Sequence, residues 1–320
     1  MYRTEDIVAE YGVTKEDLNR FIKSCSPSVI NDDGKISEKT FQLVLQFIED
    51  KKDRIGEKLK GEVAKYKIGD KKVVIFQDDA ISFLEKIPSN SVDIITTDPA
   101  YSGMNNKLNL GKGRIVGKYS EKGKKNGKWF SEFEDSEENY TRFLSECKRV
   151  LKTSTGHIYI MFDSFSLLSL GNIVRNFFDV KNLITWDKVN IGMGHYFRRR
   201  HEYIIFATNG NNRKLRNRKF PDVWRFKRVH NPAYPTQKPV EVFQAMIHAS
   251  AEDDFTVCDP FLGSGSSAIA AIKNNCNFIG CDISDKSIEL STCRIEEFLK
   301  NSKDILQKKS MAVEKNIFWE

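Results

Sequence analysis

The segment Asp98-Pro99-Ala100-Tyr101 sets a carboxylate, a rigid backbone carbonyl and an aromatic ring side by side. Hydrogen-bond acceptors beside a flat ring suit a planar nitrogen substrate. An exocyclic amine conjugated with its heterocycle is a poor nucleophile until acceptors engage its N–H bonds. Asp98 and the Pro99 carbonyl can orient such an amine and stabilise the positive charge that develops on it during alkylation. Tyr101 offers a ring on which the heterocycle can stack. Taken alone, the segment is equally compatible with a plain turn.

A second constellation runs from Phe255 to Ser267, where Cys258-Asp259-Pro260-Phe261 leads into Gly263-Ser264-Gly265. A helical stretch follows, then an apolar run that ends at Asp282. Strand, glycine turn, helix and an acid at the tip of the next strand form a nucleotide-binding pattern. Glycines let the backbone approach a ligand, and the acid accepts hydrogen bonds from ribose hydroxyls. The third glycine of the dinucleotide fingerprint is missing, which favours S-adenosylmethionine over a pyrophosphate cofactor.

These groups need a scaffold, and the pattern from about Lys71 onward supplies one. Candidate strands are Val73 to Phe76, Val92 to Thr96, Gly156 to Phe162, Leu183 to Trp186, Tyr203 to Ala207, Thr256 to Cys258 and Phe278 to Cys281. Candidate helices are Ala80 to Lys86, Glu137 to Leu151, Leu167 to Phe177, Pro239 to Ala249, Ser266 to Asn274 and Lys286 to Leu299. The alternation predicts an α/β domain over residues 66–300, with a mainly parallel, seven-stranded sheet covered on both faces. Residues 301–320 read as a tail. Residues 1–65 read as a small helical unit. Gly12 is a stop for a first helix, Thr14-Lys15-Glu16-Asp17 a capping box for a second, and Ser37 a cap for a longer third. That order is similar to a helix-turn-helix, and also to a simple packing or dimerisation pair.

Composition narrows the function classes. The chain is 40% hydrophobic and 30% charged, with no apolar run of membrane-spanning length. The opening Met1-Tyr2-Arg3-Thr4-Glu5-Asp6 lacks the order of a secretory signal, which leads to the expectation of a cytoplasmic protein. The six cysteines are scattered and no His-Glu-x-x-His pattern occurs, so no metal site is expected. The net charge of +7 is clustered: five lysines lie between Lys118 and Lys128, Arg198-Arg199-Arg200 is a triplet, and eight Lys or Arg lie between Arg213 and Arg228. Phe220, Trp224 and Phe226 are interleaved with the last group and could stack on bases. Such stretches suit a phosphate backbone, and each alone is equally compatible with a solvated basic loop.

The ordered series of Asp79 to Asp93, the Asp98 segment, Pro235-Thr236-Gln237-Lys238-Pro239 and the Asp259 to Gly265 turn resembles the beta class of DNA amino-methyltransferases over roughly residues 70 to 300. In that class the catalytic motif precedes the cofactor motif, a circular permutation of a Rossmann-like methyltransferase fold. The resemblance implies Asp98, Pro99 and Tyr101 as catalytic residues. It also implies an S-adenosylmethionine site formed by Asp79, Asp98, Thr236, Lys238, Asp259, Phe261, Gly263, Ser264, Gly265 and Asp282. Ala100 departs from the pattern, replacing the usual second proline, but neither acceptor is lost. A motif that begins with Asp implies adenine N6 as the methyl acceptor, with cytosine N4 as the alternative.

Resemblance also implies that double-stranded DNA is read by residues 208–235, with contacts from Arg198, Arg200, Lys214, Arg216, Arg218, Arg225, Lys227 and Arg228. That insert is short, so the N-terminal unit or a second copy in a homodimer would share the work. The glycine-rich, basic residues 102–135 read as a mobile cover. A separate restriction endonuclease is the implied partner activity. Methylation of RNA or of a protein amide, and a catalytically silent DNA-binding role, are the competing readings.

Overall fold

The computed structural model describes residues 61–99, 136–192, 196–210, 212–230 and 236–306, together with 2–3, 35–36, 42, 133, 232 and 234. By contacts the chain divides into a unit of Met1–Lys60 with Lys86–Ser91 and a unit of Gly61–Glu85 with Val92–Glu320. In the first, β1 (Tyr2–Arg3) pairs antiparallel with β2 (Lys35–Ile36). The expected helix-turn-helix lies outside the described residues, as do Ala100, Tyr101, the Lys118 to Lys128 cluster, and the residues 102–135 other than Phe133.

The second unit is built on a nine-stranded sheet in the order β3-β4-β11-β10-β5-β6-β8-β7-β9. Its strands are β3 (Glu62–Ile68), β4 (Lys71–Gln77), β5 (Ile94–Thr97), β6 (His157–Phe162), β7 (Asp179–Asp187), β8 (His201–Thr208), β9 (Val223–Arg225), β10 (Thr256–Asp259) and β11 (Asn277–Asp282). The seven strands expected from the sequence form its continuous middle, and β3 and β9 extend it at the two edges. The central strands β5 and β6 are buried throughout, as expected where helices cover both faces of a parallel sheet. β3 alternates half-buried and exposed positions and pairs antiparallel with β4. The boundary drawn at residue 65 therefore falls inside a strand.

Among the described residues the helices are α1 (Ala80–Lys86), α2 (Glu137–Val150), α3 (Ser164–Leu170), α4 (Val240–Ser250), α5 (Ser266–Lys273) and α6 (Asp285–Asn301). Local signals explain most of their ends. The Ser136 hydroxyl accepts from Asn139 N at 3.3 Å to open α2, Glu137 and Glu138 follow in its first turn, and Lys148 and Arg149 close its last. The helix expected over Leu167 to Phe177 differs. Asp163 accepts from Phe165 N at 2.8 Å and Ser166 N at 3.3 Å, so α3 starts earlier. It ends before Gly171, and a separate 3-10 turn follows over Ile173–Asn176.

Two corrections bear on function. Trp224 and Phe226, expected to be free for stacking, are 1% and 3% exposed and belong to the core, with Phe220 packed against it. They are there because β9 runs parallel to β7, pairing Trp186 with Trp224. Asp304, assigned to the tail, is buried against Arg294 of α6. Among the described residues no helix is long and apolar enough to cross a membrane.

Candidate active site

β10 continues through α5 to β11 on one side, whereas its neighbour β5 continues through α2 to β6 on the other. The strand order therefore reverses between β10 and β5, and open α/β sheets bind ligands beyond the carboxyl ends of strands at such a point. Asp98 follows β5 there, and the Asp259 to Gly265 turn follows β10. A single cleft is lined by Asp79, Ile81, Asp98, Tyr234, Thr236, Lys238, Phe261, Leu262, Gly263, Ser264, Asp282 and Ile283, among others.

At one end of the cleft the Lys238 ammonium donates to Asp98 Oδ2. It also lies 3.7 Å from Glu202 Oε2, while Glu202 Oε1 accepts from Lys188 Nζ at 2.9 Å. Charges thus alternate along Lys188, Glu202, Lys238 and Asp98, tying the stem of the β7–β8 hairpin to the end of β5. Burial raises the Asp98 carboxyl above its ordinary value; Lys238 opposes this and Glu202 adds to it. Burial works against the Lys238 ammonium, but Asp98 and Glu202 more than offset it and hold that group above its usual range. Burial likewise disfavours charge on Glu202, and Lys238 with Lys188 holds it below the usual carboxylate range. Lys238 is therefore the group that opposes protonation of Asp98, and its ammonium is the donor that the Asp98 carboxyl accepts from. The side chains are still reachable, Asp98 at 22% exposed and Lys238 at 16%.

At the other end the backbone makes the site. Gly263 has φ 51° and Gly265 φ 79°, both left-handed. Gly263 N donates to Asp282 Oδ2 at 2.8 Å, and Ser284 N donates to Oδ1 at 2.9 Å. The Ser287 side chain and the Ile283 backbone also donate toward this carboxyl, and burial, which these donors oppose, raises it above its ordinary value. Phe261 is edge-on to Phe143 at 5.5 Å and to Phe133 at 5.2 Å, which fixes its ring in the wall. Asp79 caps α1, its Oδ1 accepting from Ser82 N at 3.0 Å.

The sequence-derived cofactor residues Asp79, Asp98, Thr236, Lys238, Phe261, Gly263, Ser264 and Asp282 all line this cleft. Asp259 and Gly265 stand behind it. Asp259 is 1% exposed and accepts from Phe261 N at 2.9 Å and from the Ser267 hydroxyl. Its carboxyl is pushed up to about 7 by burial, which those donors oppose, and it shapes the turn. Gly265 opens α5, where a Cβ would stand 3.1 Å from Ser291 Cβ. Sequence reasoning missed Glu202, which reaches the site through the strand order, and Ile81, Tyr234 and Ile283, which stand within two residues of the assigned Asp79, Thr236 and Asp282. The set fits S-adenosylmethionine. Aromatic and aliphatic walls suit the adenine, the paired backbone turn and Asp282 suit the ribose, and a cation lies beside Asp98 at the far end.

The predicted DNA contacts separate. Arg198, Arg200, Arg225, Lys227 and Arg228 lie toward the edge where β6, β7 and β9 end, the same edge as Asp98. Arg200 is bidentate to Asp187 at 2.6 and 2.7 Å, and Arg225 lies 3.6 Å from it. Lys214, Arg216 and Arg218 lie at the opposite edge. Arg216 N donates to Ala249 O at 2.8 Å and its guanidinium to Ala251 O at 3.1 Å, where α4 ends. Arg213 beside them is tied to Thr155 O and Ser250 O, both at 2.8 Å.

The DNA methylase family model of the N6/N4 type matches residues 92–292. The type II methyltransferase M2.MboI of Moraxella bovis is 29% identical over 259 residues, covering 72% of this chain and 92% of that one. M.HhaII of Haemophilus parahaemolyticus is 30% identical, covering 64% and 88%. The DNA adenine methyltransferase YhdJ of Escherichia coli K12 is 27% identical, covering 72% and 85%. Among solved structures, the cytosine-N4-specific PvuII DNA methyltransferase superposes with a TM-score of 0.52 at 13% identity, covering 69% and 85%. The M1.HpyAVI–SAM complex superposes with a TM-score of 0.50 at 18% identity, covering 69% and 99%.

Proposed function

The chain belongs to this family of S-adenosylmethionine-dependent DNA methyltransferases, and from that premise we propose that it methylates adenine N6 at a specific site in duplex DNA. The observation that carries the proposal is the Asp98 carboxylate, paired with Lys238 in the same cleft as the Gly263 turn.

The bound cofactor supplies a methyl carbon on a sulfonium, a leaving group that needs no metal. The protein's part is to prepare the amine. With the target base turned out of the duplex, Asp98 and the Pro99 carbonyl accept the two N6–H bonds and draw the nitrogen lone pair out of conjugation. As the N–C bond would form and the methyl carbon's bond to the leaving sulfur break, positive charge would grow on N6, and the fixed Asp98 carboxylate would stabilise it until one N6 proton passes to solvent. Tyr101 is assigned to stacking on the base. Arg198, Arg200, Arg225, Lys227 and Arg228 are assigned to the DNA, since they share the edge with Asp98. Lys214, Arg216 and Arg218 are not retained in that role.

Support for adenine over cytosine comes from the acid that opens the motif and from the name of the YhdJ relative. The relatives named type II methyltransferases support a paired endonuclease as the partner activity, and the brevity of the basic segment supports a second copy sharing recognition. Nucleoside analysis of duplex DNA methylated by the purified chain tests the base. N6-methyladenine is expected, and N4-methylcytosine as the product would overturn the assignment.

A further inference from the structure

The cofactor turn is braced from behind by residues that lie beyond the 92–292 segment matched by the family model. Arg294, on α6, is bidentate to Asp304, with Nε to Oδ1 at 2.8 Å and Nη2 to Oδ2 at 2.7 Å. Its remaining nitrogen, Nη1, donates to Ser264 O at 2.8 Å and to Ser266 Oγ at 3.0 Å. Ser266 Oγ in turn donates to Lys238 O at 2.8 Å, and Gln237 Nε2 reaches Leu306 O at 3.4 Å. One guanidinium therefore joins the glycine turn, the Thr236–Lys238 segment and residues 304–306.

A buried ion pair is a weak source of net stability, because desolvation consumes most of the Coulombic gain. This one has side chains only 1% and 2% exposed. What it adds is geometry: a planar fork with every arm engaged admits a single arrangement of the groups around it. The groups it fixes are the carbonyl between the left-handed glycines and the hydroxyl that opens α5. Ser291, one turn before Arg294 on the same helix, closes off the space where a Cβ on Gly265 would sit.

We infer that Arg294 and Asp304 are positioning residues for the cofactor, holding the Gly263–Gly265 turn and the Lys238 backbone in the binding geometry before the ligand arrives. The inference rests on the cofactor assignment and not on the identity of the methylated base.

Calorimetric titration of the full chain with S-adenosylhomocysteine, without DNA, tests it. Asp304→Asn and Arg294→Lys each break the fork and are expected to weaken binding on the order of tenfold. The KM for S-adenosylmethionine should rise in parallel, with kcat at saturating cofactor changed less than about twofold. Asp304→Asn leaves a buried cation alone, so the double variant Arg294→Gln/Asp304→Asn, which removes both charges, is titrated beside it. A purely structural role would lower the melting temperature and leave the affinity of the folded protein unchanged. That result in the double variant or in Arg294→Lys overturns the inference. Failure of the wild-type chain to bind S-adenosylhomocysteine would instead strike the cofactor assignment itself.

Discussion

The two edges of the sheet use similar residues for different ends. Where β5, β10 and β11 finish, polar groups are paired yet reachable: Lys238 holds Asp98, and Asp282 holds the Gly263 turn. At the opposite edge the same chemistry is closed. His157 is 0% exposed, with its ring bonded to Ser250 Oγ at 2.8 Å and to Arg213 O at 3.2 Å, while Arg213 and Arg216 bind backbone carbonyls. Arg213 spends its guanidinium on two carbonyls and has little left for phosphate, whereas Lys214, Arg216 and Arg218 are exposed and differ from the Asp98-edge cations in their place on the sheet, Arg198 also donating to a carbonyl, Gly192 O, at 2.8 Å. Charge along the chain is thus a poor guide to partners until the strand order shows which edge each residue reaches.

The sharpest way to break this contrast is at Asp98. Asp98→Asn keeps the shape and removes the anionic acceptor, so the single-turnover rate of methyl transfer should fall by about three orders of magnitude. S-adenosylhomocysteine affinity should fall far less than the rate, because the Gly263 turn is untouched although Asp98 also lines the cofactor cleft. A rate within about tenfold of wild type would mean that the Asp98 edge does not hold the reacting amine.

A smaller effect is expected at the opposite edge, in stability and not in catalysis. Burial, with Arg213 nearby, lowers His157 from 6.5 to about 4, against a hydrogen bond from the ring to the Arg213 backbone. The unfolded chain therefore binds this proton first as pH falls. The contribution of His157 to stability is whole above pH 6.5, declines between 6.5 and about 4, and levels off below, so it is read as the difference between the wild type and a variant that lacks the ring. The loss amounts to about 3 kcal/mol and should be absent in His157→Gln, as followed by denaturant unfolding across that pH range. An equal decline in both proteins would place the titrating group elsewhere.

What was legible in the sequence divides along the same line. Gly263, Gly265 and Asp282 could be read because a turn acts through neighbours in the chain, and the spacing carries the geometry. Asp98 could be read because it ends a strand of β-branched residues. Glu202 and Arg294 could not, since Lys238 and the Ser264 carbonyl lie far from them in the chain and only folding brings them together. β3 escaped notice because its exposed positions carry Lys65 and Lys67 within a half-buried edge strand, and β9 because three residues are too few to show a period. The basic stretch from Arg213 to Arg228 reads as a unit, but β9 carries its second half across the sheet to the Asp98 edge.

Hydrogen exchange with and without a cognate duplex, in the presence of S-adenosylhomocysteine, tests the division between edges most directly. Protection is predicted in peptides covering residues 196–202 and 223–230, beside Asp98, with residues 212–219 exchanging as in the free protein. Protection of 212–219 with none at 196–202 or 223–230 would place the DNA on the opposite edge and contradict the assignment of Asp98 as the site of methyl transfer.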